Sequence, residues 1–196
     1  MANSNTQGFG LIPTGTLGSA PSTQGQGKYY IVAAYDTDLF HGTSVRVVNG
    51  YIQTAQAVIS KSTVGVLNGI FYNAATTLKP TWANWYNQPI TPANSENITA
   101  FVLDNPFQLF VGSAAAAVLQ VDVFETYGLT VTAAGSEISG QSSSEIVGTV
   151  HATANQWRLL RSAEDPSNND ITANNCSFVV VQNLNQVNSG GLTSAS

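Results

Sequence analysis

The sequence predicts an all-β chain: a single compact β-barrel or β-sandwich domain of about nine or ten short strands, with an extended N-terminal arm. Three observations predict it. Short runs of β-branched and aromatic residues recur along the chain, with turn residues after about every ten positions. No segment carries a long helical periodicity, sustained heptads or a fixed-period repeat, which disfavours coiled-coil fibres and solenoids. Hydrophobic residues make up 43% of the 196 positions, enough for one sizeable core.

Residues 1–27 are rich in Asn, Ser, Thr, Gln, Gly and Pro and carry no charged side chain. Neither helix nor strand is expected there, and fully extended the segment reaches about 85 to 95 Å. The apolar beads Phe9, Leu11, Ile12 and Leu17 favour an arm laid across a neighbouring subunit, because a disordered tail has no need of them. Residues 28–187 form the expected β domain, and 188–196 a polar tail.

Within the domain, residues 28–35 (KYYIVAAY) read as a strand. Residues 44–48 and 51–55 flank Asn49-Gly50, a dipeptide suited to the positive φ angles of a two-residue type I′ turn, so they form a hairpin. Residues 64–72 (VGVLNGIFY) make another strand, with Gly65 and Gly69 permitting bends or bulges. Residues 78–92 hold Trp82, Trp85, Tyr86 and three prolines and read as a loop. Strands at 98–104 and 108–111 surround Asn105-Pro106, and the Ala-rich stretch 113–119 is a short helix of a turn or two. Strands at 129–132, 146–150, 156–161 and 177–182 complete the series.

Charged residues are only 9% of the chain, against about a quarter in ordinary soluble domains. A surface of neutral Asn, Gln, Ser and Thr repels neighbours poorly and suits a protein held against a partner; secreted β proteins share this composition. Net charge is −5, and the six Lys and Arg residues are scattered. Binding to nucleic acid or to an anionic membrane surface is therefore not expected. Cys176 is alone, so no disulfide forms within the chain. Residues 1–10 lack the basic start and apolar run of a secretory signal, and no apolar run is long enough to span a bilayer. These features predict that the protein is made and kept in the cytoplasm unless a particle carries it out through lysis.

No pattern announces catalysis. The nucleophile-elbow and phosphate-loop patterns are absent, and Gly8-Phe9-Gly10 and Gly25-Gln26-Gly27 precede no helix. His41 lies in a turn and His151 at a strand end, and nothing pairs either with Cys176, which reads as a small core residue. Two unpaired histidines and one cysteine build no closed zinc site. Asp36, Asp38, Glu164, Asp165 and Asp170 supply oxygen ligands conceivable for calcium, but their spacing reads better as polar turns. No two of the eleven acids stand out as a glycosidase pair. The expectation is a non-enzymatic protein without metal or cofactor. Trp82, Trp85 and Tyr86 admit three readings: a sugar-stacking platform, a protein-interface anchor, or a plug in one end of the barrel. The Asn97-Ile98-Thr99 and Asn175-Cys176-Ser177 patterns carry no weight without a secretory route.

Several short motifs together resemble a known group. They are Gly8-Phe9-Gly10 with Pro13 and Gly15, then a strand near Tyr30, then Leu39-Phe40-His41-Gly42-Thr43-Ser44-Val45. Val64-Gly65-Val66 with Gly69 and Tyr72 follows, then Lys79-Pro80 and residues 101–107 (FVLDNPF), and finally residues 164–168 (EDPSN) ahead of a last strand closing on 183–186. The chain resembles small structural proteins of tailed bacteriophages, especially marine ones, over residues 8 to about 187. It departs at Thr43, where the group often has Asp, and at Leu184 or Asn185, where it often has His. The resemblance implies a cement or decoration protein on the capsid surface of a virion, stabilising the head. Its implied partners are the phage major capsid protein and copies of itself, with a homotrimer favoured over a dimer. The alternatives are a head fibre, knob or tail-associated protein, or a carbohydrate-binding module using the Trp82, Trp85 and Tyr86 loop.

Overall fold

Runs of β-branched and aromatic residues form eleven short strands among the described residues, which the computed structural model arranges in two antiparallel sheets. The structure describes residues 3–18, 25–55, 61–130, 134–147 and 155–187. In chain order the strands are β1 Ile12–Thr16, β2 Gly27–Ile31, β3 Ser44–Val48, β4 Tyr51–Thr54, β5 Gly65–Asn73, β6 Pro80–Ala83, β7 Ile98–Leu103, β8 Gln108–Ser113, β9 Thr126–Tyr127, β10 Trp157–Ser162 and β11 Ser177–Gln182. The first sheet has the order β1-β8-β11-β10-β9; the second runs β2-β7-β5-β3-β4, with β6 added alongside β5. The sequence predicts an all-β barrel or sandwich; the observed fold is all-β, with two antiparallel sheets in a sandwich-like arrangement.

Each sheet has its own core. In the second sheet β2 and β4, the two ends of the path, come back close together, and the Thr54 N–H donates to the Tyr35 hydroxyl at 3.2 Å. The sheet therefore curls around Ile31, Val45, Ile52, Leu67, Ile70 and Tyr86. The first sheet covers Leu11, Phe110, Tyr127, Trp157, Phe178 and Val180, with the Phe110 and Trp157 rings edge to face at 5.6 Å. Val66 and Leu103 reach from the second sheet into this core and tie the sheets together. Burying each large side chain contributes about 1.5–3 kcal/mol.

The Asn49-Gly50 turn forms as expected: φ is 50° and 83° at its two residues, and Val48 pairs with Tyr51 directly across it. β7 and β8 lie in different sheets, joined by a turn in which the Asn105 carboxamide oxygen accepts from the Phe107 N–H at 3.0 Å.

Three local expectations fail. Residues 113–119 form no helix. The Ala114 N–H donates to the Cys176 carbonyl, Ala115 to Ile146 and Val118 to Ile171, so long-range partners take the bonds a helix would use. Residues 80–83, expected in a loop, form β6; Pro80 opens that strand, where a missing N–H costs little. Residues 12–16, expected in a strandless arm, form β1, an edge strand paired with β8 and bulged between Pro13 and Gly15. His151, the tail 188–196, and parts of the strands expected at 129–132 and 146–150 lie outside the described residues.

Three tyrosines make the fold sensitive to alkali. Burial, then a 2.7 Å hydrogen bond to Asp104, pushes the Tyr29 hydroxyl far above its ordinary value. Burial raises Tyr127 to about 12 and Tyr86 in the same direction. A group whose pKa is higher folded than unfolded gives its full stabilisation below the unfolded value, about 10 for tyrosine, and loses it as pH rises toward the folded value. The urea midpoint is therefore expected to hold steady from pH 8 to about 9.5 and to fall above about pH 10. A midpoint flat to about pH 11.5 contradicts this burial.

Candidate functional site

The N-terminal segment divides its apolar beads between inside and outside. Strand alternation turns Leu11 inward, where it is 1% exposed, and Ile12 outward, where it is 42% exposed. Gly10 at φ 74° makes the bend, and the Leu11 N–H donates to the Gly42 carbonyl at 2.9 Å. Upstream, the Asn3 carboxamide donates to the Asp170 and Asn174 carbonyls, and the Asn5 N–H to the Asn168 side chain. Residues 3–18 are thus part of their own domain, a correction to the arm picture: Leu11 is in the core and unavailable to a neighbour. Phe9 is half-buried, and Leu17 is exposed beside Phe107, to whose carbonyl its N–H donates.

Ile12 begins an apolar row. In register across the first sheet it pairs with half-buried Val111, which pairs with Val179, and the next row sets Leu109 beside Val181; Val179 and Val181 are buried, and Arg161 and Arg158, their partners on β10, close this face on its far side. A solvated antiparallel face places polar residues in this phase, as β10 does with Arg158 and Arg161; β1 and β8 place Ile12, Leu109 and Val111 there. At its edge lies a shallow cavity of about 370 Å³ lined by Asn5, Phe9, Ile12, Val111, Ala163, Asp165 and Ser177. Two of the four beads, Phe9 and Ile12, therefore meet on an outward aliphatic face. A further apolar surface stands on the loop after β8, where Leu119, Val121 and Phe124 are exposed and Phe124 holds φ 76°.

The three aromatics of 82–86 part company. Tyr86 is fully buried in the second core, its hydroxyl donating to the Tyr35 carbonyl at 2.8 Å, and its backbone exchanges two hydrogen bonds with Leu39. Trp85 stacks on Phe40, with centroids 4.8 Å apart and planes 10° from parallel. Trp82 alone faces outward, 54% exposed on β6. The three do not form one platform.

Trp82 instead joins residues that the sequence did not mark as a site. Tyr30 on β2 pairs with Thr99 on β7, Thr99 with Phe71 on β5, and Phe71 with Trp82 on β6. Register partners share a face, so the four form one row across four strands. Tyr30 is 43% and Phe71 39% exposed, and Phe101 leans on Trp82 at 5.2 Å. The signal available in the sequence was an aromatic in the outward phase of three strands; which strands are neighbours was not.

The groups that carry chemistry elsewhere are engaged here in structure. Cys176 is fully buried, and burial pushes its thiol pKa up. A thiol reagent is expected to leave it unlabelled in the folded protein and to label it completely in denaturant; rapid native labelling would show that this core opens. The His41 ring sits between the Gln141 and Asn68 carboxamides, 3.2 Å from each. Asp38 accepts from the Gln88 N–H at 2.8 Å. Asp165 accepts from the Asn168 side chain and the Ser167 N–H, which lower its pKa, and Asp170 binds the Thr172 hydroxyl and N–H. These are turn contacts. Among the described residues no three His, Cys, Asp or Glu side chains gather where a metal would sit, and no helix is long and apolar enough to cross a membrane.

No protein-family model, curated protein or solved structure matches the chain.

Proposed function

We propose that this protein is a non-enzymatic structural component of a tailed-phage particle, a cement protein that binds the major capsid protein on the outside of the head. The observation that carries the reading is the outward aliphatic face of the first sheet, where Ile12, Val111, Leu109 and the Phe9 cavity occupy positions that solvent would fill with polar groups. The sparse charge of the chain supports it, and the charges near this face, Asp165 at the cavity and Arg158 and Arg161 on β10, sit at its margin. Specific attachment needs about 1,000 Å² or more of total buried area, more than one small cavity supplies. A homotrimer belongs to the same proposal: each copy adds its face to the others, and avidity then multiplies a modest contact. The exposed Leu119, Val121 and Phe124 loop, beside edge strand β9, offers apolar surface for that self-contact.

The test is reconstitution. Purified protein added to heads lacking it is expected to bind saturably at a copy number on the order of hundreds, as repetition over a symmetric shell requires. Binding confined to a few copies would assign it instead to a fibre, knob or tail position, and no binding would remove the reading.

A further inference from the structure

The outward row of the second sheet has a different chemistry from the aliphatic face of the first, and nothing in the cement reading uses it. Its members are Tyr30, Thr99, Phe71 and Trp82, in register on β2, β7, β5 and β6, with Phe101 against Trp82. Gly69 explains how Trp82 is held. A Cβ at position 69 would fall 2.9 Å from the indole Cη2, so the six-membered ring occupies the space above the glycine. The indole therefore lies over the sheet and leaves more than half of its surface to solvent. A side chain at position 69 would lift it off.

We propose that this row is a binding platform for a neutral polysaccharide. Three features select that ligand. First, aromatic faces carry negative quadrupole density and attract the C–H faces of sugar rings, whereas an aliphatic surface offers no such direction. Second, three inter-strand steps of ~4.8 Å make the row about 14 Å long, a span suited to a few sugar rings. Third, charge is sparse on the same face: Thr99 within the row is neutral and largely buried, the Asn73 carboxamide donates to Glu96 at 2.6 Å, and Lys28, opposite Phe101, is a single cation at its margin. A chain of net charge −5 disfavours sulfated or carboxylated glycans, which leaves neutral ones.

The experiment is affinity electrophoresis of the full chain through gels containing a β-1,4-glucan, a β-1,3-glucan, a mannan or a galactan. At least one polymer is expected to retard the wild-type chain. Trp82→Ala is expected to weaken that retardation about tenfold or more, and Trp85→Ala to leave it unchanged. Unfolding midpoints check that each variant folds, and Tyr30→Ala, on the far strand of the row, provides a second variant whose loss of binding is expected. Absence of retardation by all four polymers overturns the proposal, as does retardation that survives both Trp82→Ala and Tyr30→Ala. Weakened binding to phage heads by Trp82→Ala, with no glycan effect, also overturns it and assigns the row to a protein partner. The cement reading stands or falls separately, on the reconstitution.

Discussion

Leu11→Ala is expected to lower the free energy of unfolding by about 2–5 kcal/mol, a large share of what a domain of this size possesses. The side chain is 1% exposed and packs in the core of the first sheet, so its removal leaves a cavity that Phe110 and its neighbours fill only in part. Ile12→Ala, one residue on and 42% exposed, is expected to cost well under half as much. Deleting residues 1–18 removes Leu11 and strand β1 together and strips β8 of its outer partner. That truncation is expected to destabilise the domain, and not merely to detach it from a neighbour. Urea titration of the two point variants decides the matter. A cost below about 0.5 kcal/mol for Leu11→Ala would mean that the segment lies off the domain in solution, as a free arm would.

The second large effect concerns docking. Phe9→Asp combined with Ile12→Asp places two carboxylates in the cavity that already holds Asp165, on a surface proposed to lose its water on binding. Affinity for heads lacking the protein is expected to fall about 100-fold or more, or ~2.7 kcal/mol and upward. Stability is expected to change little, because both side chains reach the surface. Co-sedimentation with the heads measures the first quantity and thermal unfolding the second. Undiminished binding by the double variant would move the contact off the first sheet.

Local signals were legible in proportion to how local their causes were. Asn49-Gly50 and its flanking strands obey turn geometry within six residues, and β11, a run of Phe and Val, can be little else. The run of alanines at 114–117 failed as a helix because Cys176, Ile146 and Ile171, distant in sequence, supply its hydrogen bonds. β1 was hidden by Pro13 and Gly15, which an edge strand tolerates and a central one does not. Phe9 and Ile12 could be picked out as surface apolar residues, but that Leu11 between them points inward depends on pairing with β8. The aromatic row is the extreme case. Positions 30, 99, 71 and 82 become neighbours only through sheet order, so no window of sequence contains them.

Copies of this protein are proposed to coat a phage head through the first-sheet face. A cryo-EM map of the particle that carries it tests this most directly. Density for the β-sandwich is expected at every equivalent site of the shell, with Phe9, Ile12 and Val111 turned toward the capsid protein. Density at a single vertex or on the tail, or copies that meet the shell through another face, would contradict it.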